Sequence, residues 1–399
     1  MRINHIRLTN FRNYSTASIK LSPGKNIFIG ENAQGKTNFL EAVEIASMGR
    51  SSRAVRDNEL IRWGQDNFRI YVEYERGGGE ESVALALNAV PDVTGGIKLE
   101  KSVKVNGVVR NSYRSLLGKI VTVSFCSQDL NLLRGGPSFR REWVDSVVLR
   151  VKPSYQNTLA NYSKVVAQRN RFLKELAERG RVTVQDQDAL SAWDQQLARF
   201  GAPMIIQRLK LLDELMPLAK KYLLQISGQS DSLDASYVFN TQEAASNSNL
   251  DSMGEDELAK TLAVMLKSGR SNDMMRRHTL IGPHRDDITF NVNNSSATMF
   301  ASQGQQRSLV LALKLAELDY ITASIGEPPI LLLDDVLAEL DLGRQAALMS
   351  ALPPSMQTVI TTTHVAGFDP RWLEDASIYS VQRGAINIDS QAHQQGVLQ

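Results

Sequence analysis

A single cysteine, Cys126, occurs in the 399 residues. This excludes an intrachain disulfide and a Cys-x-x-Cys zinc site, and it points to a reducing compartment, the cytoplasm. No apolar run approaches the roughly 20 residues that a membrane-spanning helix needs, so no membrane role is expected. The opening MRINHIRLTNFRNY interleaves charged and apolar residues and lacks the apolar stretch of a secretion signal. A large excess of either charge is also lacking. A formal net charge of +2 means that any polyanion must be held by a local patch. Helix-turn-helix, zinc-finger and RNA-recognition signatures are missing, which argues against sequence-specific reading of nucleic acid. No internal repeat is evident. With 42% hydrophobic residues the chain can bury a sizeable core, and its length predicts two domains.

What is present is a pair of nucleotide motifs separated by most of the chain. The first runs from Gly30 through Glu31, Asn32, Ala33, Gln34, Gly35 and Lys36 to Thr37. Before it, Lys25 to Ile29 reads as a short strand; after it, Asn38 to Ile45 carries a helical pattern. A glycine-rich loop between strand and helix is the setting in which such a motif binds phosphate. Gly30 and Gly35 let backbone N–H groups wrap an anion, and the helix N-terminus adds partial positive charge. Lys36 supplies a point charge for the β and γ phosphates of ATP, and the Thr37 hydroxyl is placed to ligate Mg2+.

The second cluster lies near the C-terminus. Pro329 to Leu333 is a continuous apolar run, as expected of a central parallel strand buried on both faces, and it ends in Asp334 and Asp335. A carboxylate at the C-terminal edge of such a strand serves magnesium, which assigns Asp334 to the metal; Asp335 then faces the attacking water as general base or orienting group. Upstream, Ser302 sits at the N-cap position of a helix predicted over Ser308 to about Ile325, with Leu309, Leu313, Ala316 and Tyr320 at helical spacing. A helix N-terminus with a hydroxyl and a close-approach glycine suits a γ-phosphate.

These residues resemble the RecF family, bacterial recombination-mediator ATPases that are short relatives of the SMC-type and double-strand-break-repair ABC ATPases. The resemblance covers nearly the whole chain: IRLTNFRNY, FIGENAQGKTNFLEA, RSSRAVRDNELIRWG, SFCSQDLNLLRGGPSFRREWVD, LIGPHRDD, ASQGQQRSLVLALKLAEL and LLLDDVLAELD. It implies that Ser302 and Gly304, with Gln305 beside them, form the ABC signature and contact ATP held by the other subunit of an ATP-dependent homodimer. It further implies that Gln128 is the Q-loop residue, Asp341 the D-loop residue and His364 the switch histidine. The implied function is a weak, DNA-stimulated ATPase that clamps single-stranded or duplex DNA at gaps and stalled forks. In that role it works with RecR and RecO to load RecA, in repair, replication restart and SOS induction. Two rival readings stay open: an ATP-switched scaffold that does not retain DNA, and an ABC transporter ATPase. Against the transporter stand the N-terminal segment and the interval from Thr37 to Ser302, which is too long for a compact transporter head and too short for a long SMC coiled coil. Transporter ATPases carry glutamate where this chain has Asp335. That carboxylate is one methylene shorter, which predicts slow turnover.

The expected architecture is α/β: an ABC-type P-loop ATPase head, with a mixed sheet and flanking helices, split over 1–125 and 280–399, with a mainly helical lobe inserted over 126–279. Within the lobe, Tyr155, Leu159, Tyr162, Val166, Arg169, Leu173 and Leu176 outline an amphipathic helix of about 25 residues, about 40 Å long. A break follows from Gly180 to Asp188, then a second helix from Leu190 that Pro203 kinks. The polar stretch from Ile226 to Asp256 reads as a surface connection around a strand at Ser236–Phe239, and Ser390 to Gln399 reads as a frayed tail. Arg50, Arg53, Arg56 and Arg62, and Arg134, Arg140 and Arg141 around a Gly-Gly-Pro turn, are the candidate contacts to DNA phosphates. His284 and Arg285 are candidates for lining the ATP or DNA face.

Overall fold

The computed structural model describes residues 1–54, 56–91, 96–228, 231–240 and 250–388. The expected tail from Ser390, and residues 229–230 and 241–249 of the expected surface connection from Ile226 to Asp256, lie outside the described residues. Two compact units are present: Met1–Asp129 with Glu317–Gln399, and Leu130–Ala316.

From the N-terminus, β1 (Arg2–Phe11), β2 (Tyr14–Lys20) and β3 (Lys25–Ile29) lead into α1 (Lys36–Met48). Four strands follow: β4 (Asn67–Arg76), β5 (Gly79–Pro91), β6 (Ile97–Val105) and β7 (Val108–Arg110), then β8 (Thr122–Cys126). The helices α2 (Asn131–Arg134), α3 (Pro137–Val151), α4 (Tyr155–Arg179) and α5 (Val184–Ile226) come next. After them run β9 (Leu233–Val238), α6 (Glu255–Ser268), α7 (Arg270–Arg276), β10 (Asp287–Val292), β11 (Ser295–Ser296), α8 (Ala297–Phe300) and α9 (Gln303–Ile325). The chain finishes with β12 (Ile330–Asp334), α10 (Leu342–Ala351), β13 (Thr358–Thr362), β14 (Ser377–Gln382) and β15 (Ala385–Ile388).

In the first unit, two six-stranded sheets enclose α1. One is antiparallel, in the order β2-β1-β4-β5-β6-β7. Its strands alternate: Phe68, Ile70, Val72 and Tyr74 of β4 point inward and are buried, while Arg69 and Tyr71 face outward. The other has the order β15-β14-β3-β13-β12-β8 and is parallel except at the β15 edge. Its central strands are buried along their length, which is why β12 reads as unbroken Ile-Leu-Leu-Leu. Helix α1 packs between the sheets, so Phe39, Leu40, Ala42, Val43, Ile45 and Ala46 are all buried and its apolar surface wraps most of the way round. Phe28 on β3 stacks on Phe39 of α1 at 4.5 Å and on Tyr379 of β14 at 4.6 Å. These contacts fix the strand and helix that bracket the glycine-rich loop.

The second unit is mainly helical, with one small sheet in the order β11-β10-β9. Helix α4 spans Tyr155–Arg179, where the periodicity puts it. The following helix begins earlier and runs further than expected. Thr183 caps α5, accepting from the Asp186 N–H at 3.3 Å while its own N–H donates to the Asp186 carboxylate at 2.8 Å. The helix then continues for 43 residues, with Pro203 and Pro217 inside it. Each proline costs a helical hydrogen bond, which burial of Gly201, Ala202, Met204, Ile205, Leu215, Met216 and Ala219 around them offsets. Inside the unit Arg169 binds Asp194 at 2.9 Å and Asp273 at 2.6 Å, and Arg270 binds Asp194 at 2.7 Å, tying α4, α5 and α7 together. The sequence boundaries at 126 and 280 differ from those observed. The return to the first unit comes later because β10 pairs with β9 and Phe290 packs edge-on against Trp143 of α3 at 6.2 Å, which keeps 287–292 with the helices.

Candidate nucleotide site

Strands β3, β13, β12 and β8 are parallel neighbours, so their C-terminal ends share one edge of the sheet. Ligands of open α/β sheets bind at such an edge. Gly30 follows β3, His364 follows β13, Asp334 and Asp335 end β12, and Gln128 follows β8 in a short 3-10 helix, Ser127–Leu130. The register sets Asp334 opposite Thr361 on one side and Cys126 on the other, with Ile29 opposite Thr362. Residues from both ends of the chain therefore meet.

The loop from Gly30 to Thr37 is held from several sides. The Asn13 amide donates to the Gln34 carbonyl at 2.7 Å and accepts from Asn38 at 2.9 Å, and the Tyr14 hydroxyl donates to the Gly35 carbonyl at 2.8 Å. The Arg383 N–H donates to the Gln34 side chain at 2.6 Å, and the Gly384 N–H to the Gln34 carbonyl at 3.0 Å. Gly35 has φ of 116°, in the left-handed region, and a Cβ there would lie 2.5 Å from the Asn13 amide nitrogen. Gly30 is required for a different reason: a Cβ would lie 2.3 Å from the Val381 carbonyl oxygen. Lys36, only 4% exposed, donates to the Gly30 carbonyl at 2.7 Å and the Glu31 carbonyl at 3.1 Å. Its ammonium thus lies inside the loop where an anion would be cradled.

Asp334 is the hub opposite. One carboxylate oxygen accepts from the Thr37 hydroxyl at 2.9 Å and from the Thr361 hydroxyl at 2.7 Å. The other accepts from Arg53 at 2.5 Å. Burial pulls the Arg53 guanidinium down, and the Asp334 charge more than offsets it, leaving Arg53 raised above its ordinary value. Asp335 has φ of 57° and donates its N–H to the Thr361 carbonyl at 3.2 Å. Burial lifts its carboxyl above the usual range, the Asp334 charge adds to that, and Lys36 and Arg53 pull the other way. A half-buried carboxyl so raised is a stronger base than an exposed one. The donor set also fits magnesium: Thr37 and Asp334 offer hard oxygens beside the loop, and a magnesium carried with phosphates needs only one or two protein ligands.

Two further loops sit near this edge in the first unit. Asp341 caps α10, accepting from the Arg344 N–H at 2.9 Å; that bond and the Arg344 charge hold its carboxyl below the usual range. His364 is exposed, and its carbonyl accepts from the Thr362 hydroxyl at 2.6 Å. Gln345, buried to 1% exposure, donates to the carbonyls of Leu337, Leu340 and Gly367 and accepts from the Asp369 N–H. It stitches the segment before Asp341 to the segment after His364. In the second unit, Ser302 and Gln305 form a capping box: Gln305 N–H donates to Ser302 Oγ at 3.2 Å, and Ser302 N–H donates to the Gln305 side chain at 3.0 Å. Gln305 also donates to Asp231 at 3.0 Å. Ser302 and Gly304 are exposed at the start of α9.

The comparisons with known proteins agree with this geometry. Residues 1–88 match the family described as AAA ATPase domain. The chain is 39% identical over 394 residues to the DNA replication and repair protein RecF of Gloeobacter violaceus, covering 97% of this chain and 98% of that protein. It is 40% identical to the RecF of a Cyanothece species at equal coverage. The chain belongs to the RecF family. Among solved structures, the recombination mediator protein RecF-ATP in the RecFOR pathway superposes with a TM-score of 0.84 at 30% identity, covering 98% of each chain. The Smc head domain of Pyrococcus furiosus, bound to the C-terminal domain of ScpA, gives 0.51 at 14% identity over 98% of this chain, a likeness of fold alone.

The candidate DNA arginines separate in this RecF-family fold. Arg53 is committed to Asp334, which places it within the candidate nucleotide site. Arg140 is 7% exposed, holds Asp287 through two bonds of 2.8 and 2.9 Å and donates to the carbonyls of Leu132 and Gly135; it is a structural clamp and is withdrawn as a DNA contact. Arg141 is half-buried and donates to the Asp286 carbonyl at 2.6 Å. Arg134 is exposed and donates to Gln306 at 2.8 Å, while Arg50 and Arg56 are exposed and Arg62 is partly so. His284 is partly buried, with its ring nitrogens bonded within the second unit to the Tyr162 hydroxyl at 2.7 Å and the Thr279 carbonyl at 3.1 Å. The sequence reading gave no role to Asn13, Gln34 as a backbone anchor, Thr361 or Gln345. Asn13 was in view, inside the NFRNY string.

Proposed function

We propose that this chain is an ATP-switched DNA clamp. The observation that carries the reading is the convergence of Lys36, Thr37, Asp334 and Asp335 on one sheet edge, with the hydroxyl-capped, exposed N-terminus of α9 available to a second protomer. In this reading the loop from Gly30 to Gly35 wraps the phosphates and Lys36 trades its two carbonyl partners for phosphate oxygens. Mg2+, bound with ATP by Thr37 and Asp334, supplies charge neutralisation of the phosphates. Asp335 orients and deprotonates the attacking water, with Gln128 and His364 at neighbouring strand ends completing the surroundings of the γ-phosphate. Ser302 and Gly304 of the partner protomer approach that phosphate, and Asp341 lies beside the shared site. ATP then binds the dimer better than the monomer and shifts the population toward it. DNA that prefers the dimer must by reciprocity tighten ATP binding. Hydrolysis, slow and stimulated by DNA, releases the clamp.

The similarity to the recombination mediator RecF of the RecFOR pathway supports a role in recombinational repair. In the proposed reading the chain acts in the cytoplasm on gapped and single-stranded or duplex DNA, with RecR as partner and RecO and RecA in the pathway. The test mixes two inactive variants. Lys36→Ala removes the loop charge of one protomer and Ser302→Arg blocks the signature of another. If sites are shared across the dimer, one intact site forms in each mixed dimer, and ATP hydrolysis returns to a fraction of the wild-type rate. No recovery across all mixing ratios, with each variant folded, contradicts the shared site.

A further inference from the structure

Gln345 on α10 is buried, yet both polar atoms of its side chain bond to backbone outside its own helix. Its Nε2 donates to the carbonyls of Leu337 at 3.0 Å, Leu340 at 3.1 Å and Gly367 at 3.0 Å, and its Oε1 accepts from the Asp369 N–H at 2.8 Å. Two amide hydrogens serve three carbonyls, so one hydrogen is shared. The partners fix which way the amide points: turned over, its oxygen would face three carbonyl oxygens and its NH2 the Asp369 N–H. The backbone N–H of the same residue donates to the Asp341 carbonyl at 2.9 Å.

The two segments joined in this way each carry an exposed candidate of the nucleotide site. Leu337 opens the 3-10 turn Leu337–Glu339, which follows Asp335 and leads to Asp341. Gly367 follows His364 in a turn closed by the Phe368 N–H on the Val365 carbonyl at 3.1 Å. Asp341 and His364 are themselves exposed, so the backbone beneath them sets where they stand. Moving one segment without the other would strand buried carbonyls and an N–H, which is costly, so the two move as a pair. We propose that Gln345 is a positioning residue that locks the loop carrying Asp341 to the loop carrying His364. Closure of a partner protomer on Asp341 then sets the place of His364 in the first protomer's own site. The inference rests on the shared-site reading above and adds the element through which one composite site senses the other, a contiguous coupling of the kind that links distant sites.

The experiment adds Gln345→Leu to the mixed dimers of Lys36→Ala and Ser302→Arg, at a temperature where circular dichroism shows each variant folded. The one intact site takes its nucleotide loop and His364 from the Ser302→Arg protomer, and its signature and Asp341 from the Lys36→Ala protomer. With Gln345→Leu in either protomer, kcat for ATP falls about 10-fold or more, as misplacement of a reacting group by a fraction of an ångström to an ångström predicts, while KM and ATP-dependent sedimentation are unchanged. A simple anchor of one loop lowers kcat in one placement alone; that result, or no fall in either, overturns the proposal. Hydrogen exchange on chains with Gln345 intact decides the matter should Gln345→Leu fail to fold. On adding a non-hydrolysable ATP analogue, the amides of 337–341 and of 365–369 gain protection together in the wild type, and neither does in Ser302→Arg. Protection of one segment without the other overturns the proposal. A Lys36→Ala and Ser302→Arg mixture that recovers no hydrolysis before Gln345 is touched refutes the shared site itself, a different failure.

Discussion

Replacing Arg53 by alanine tests the assignment of Asp334 as the hub of the site. Without nucleotide, Arg53 is the cation that balances Asp334, at 2.5 Å, with side chains 23% and 11% exposed. Its removal leaves one carboxylate oxygen without its partner, while Thr37 and Thr361 continue to donate to the other. Losing a charged hydrogen bond costs about 1.5–3 kcal/mol, and breaking a fully buried pair costs more; for this partly exposed pair the expected loss is about 2 kcal/mol. For a unit of this size that lowers Tm by about 4–8 °C. Adding magnesium and nucleotide brings a new cation to Asp334, so the deficit shrinks. The assay is thermal unfolding of wild type, Arg53→Ala and Arg53→Lys, with and without magnesium and a non-hydrolysable ATP analogue. Equal Tm values without nucleotide, or a deficit that magnesium and nucleotide leave unchanged, would refute the reasoning.

Gly35→Ala places a Cβ 2.5 Å from Asn13 at a φ of 116°, so nucleotide affinity falls by at least tenfold in a binding titration, while Gly24→Ala, with open space around it, leaves affinity unchanged. Gln345→Leu strands three carbonyls and one N–H, and urea unfolding shows a loss of about 3 kcal/mol; an unchanged midpoint contradicts the stitching role. Burial lowers His284 to about 4 from 6.5, so the folded chain refuses a proton that the unfolded chain accepts. Stability present above pH of about 6.5 is therefore lost as pH falls toward about 4, by up to about 3 kcal/mol, and His284→Gln flattens that slope in urea titrations at several pH values.

The strand ends and loop of the candidate nucleotide site could be located in the sequence because their physics is local. A buried parallel strand must be apolar throughout, so β12 announces itself and hands Asp334 to the sheet edge. The loop glycines are demanded by close approach of Val381 and Asn13, and glycine in that spacing is visible without knowing the neighbours. The antiparallel sheet was missed, although Phe68, Ile70, Val72 and Tyr74 alternate with a period of two along β4. Helix α5 was not readable to its full length, since Pro203 and Pro217 look like breaks until the surrounding burial is known. Arginine roles were the least accessible. The partner of Arg53 is 281 positions away and that of Arg140 is 147 away, so nothing local distinguishes a clamp from a solvent-facing charge.

The most direct test of the shared-site clamp is sedimentation velocity of the purified protein with ADP, with ATP, and with ATP plus a gapped duplex, for wild type and Ser302→Arg. A wild-type dimer that forms with ATP but not ADP, is reinforced by DNA, and is absent in Ser302→Arg despite normal nucleotide binding is the predicted result. A monomer under all conditions, or a Ser302→Arg dimer as strong as the wild type, contradicts it.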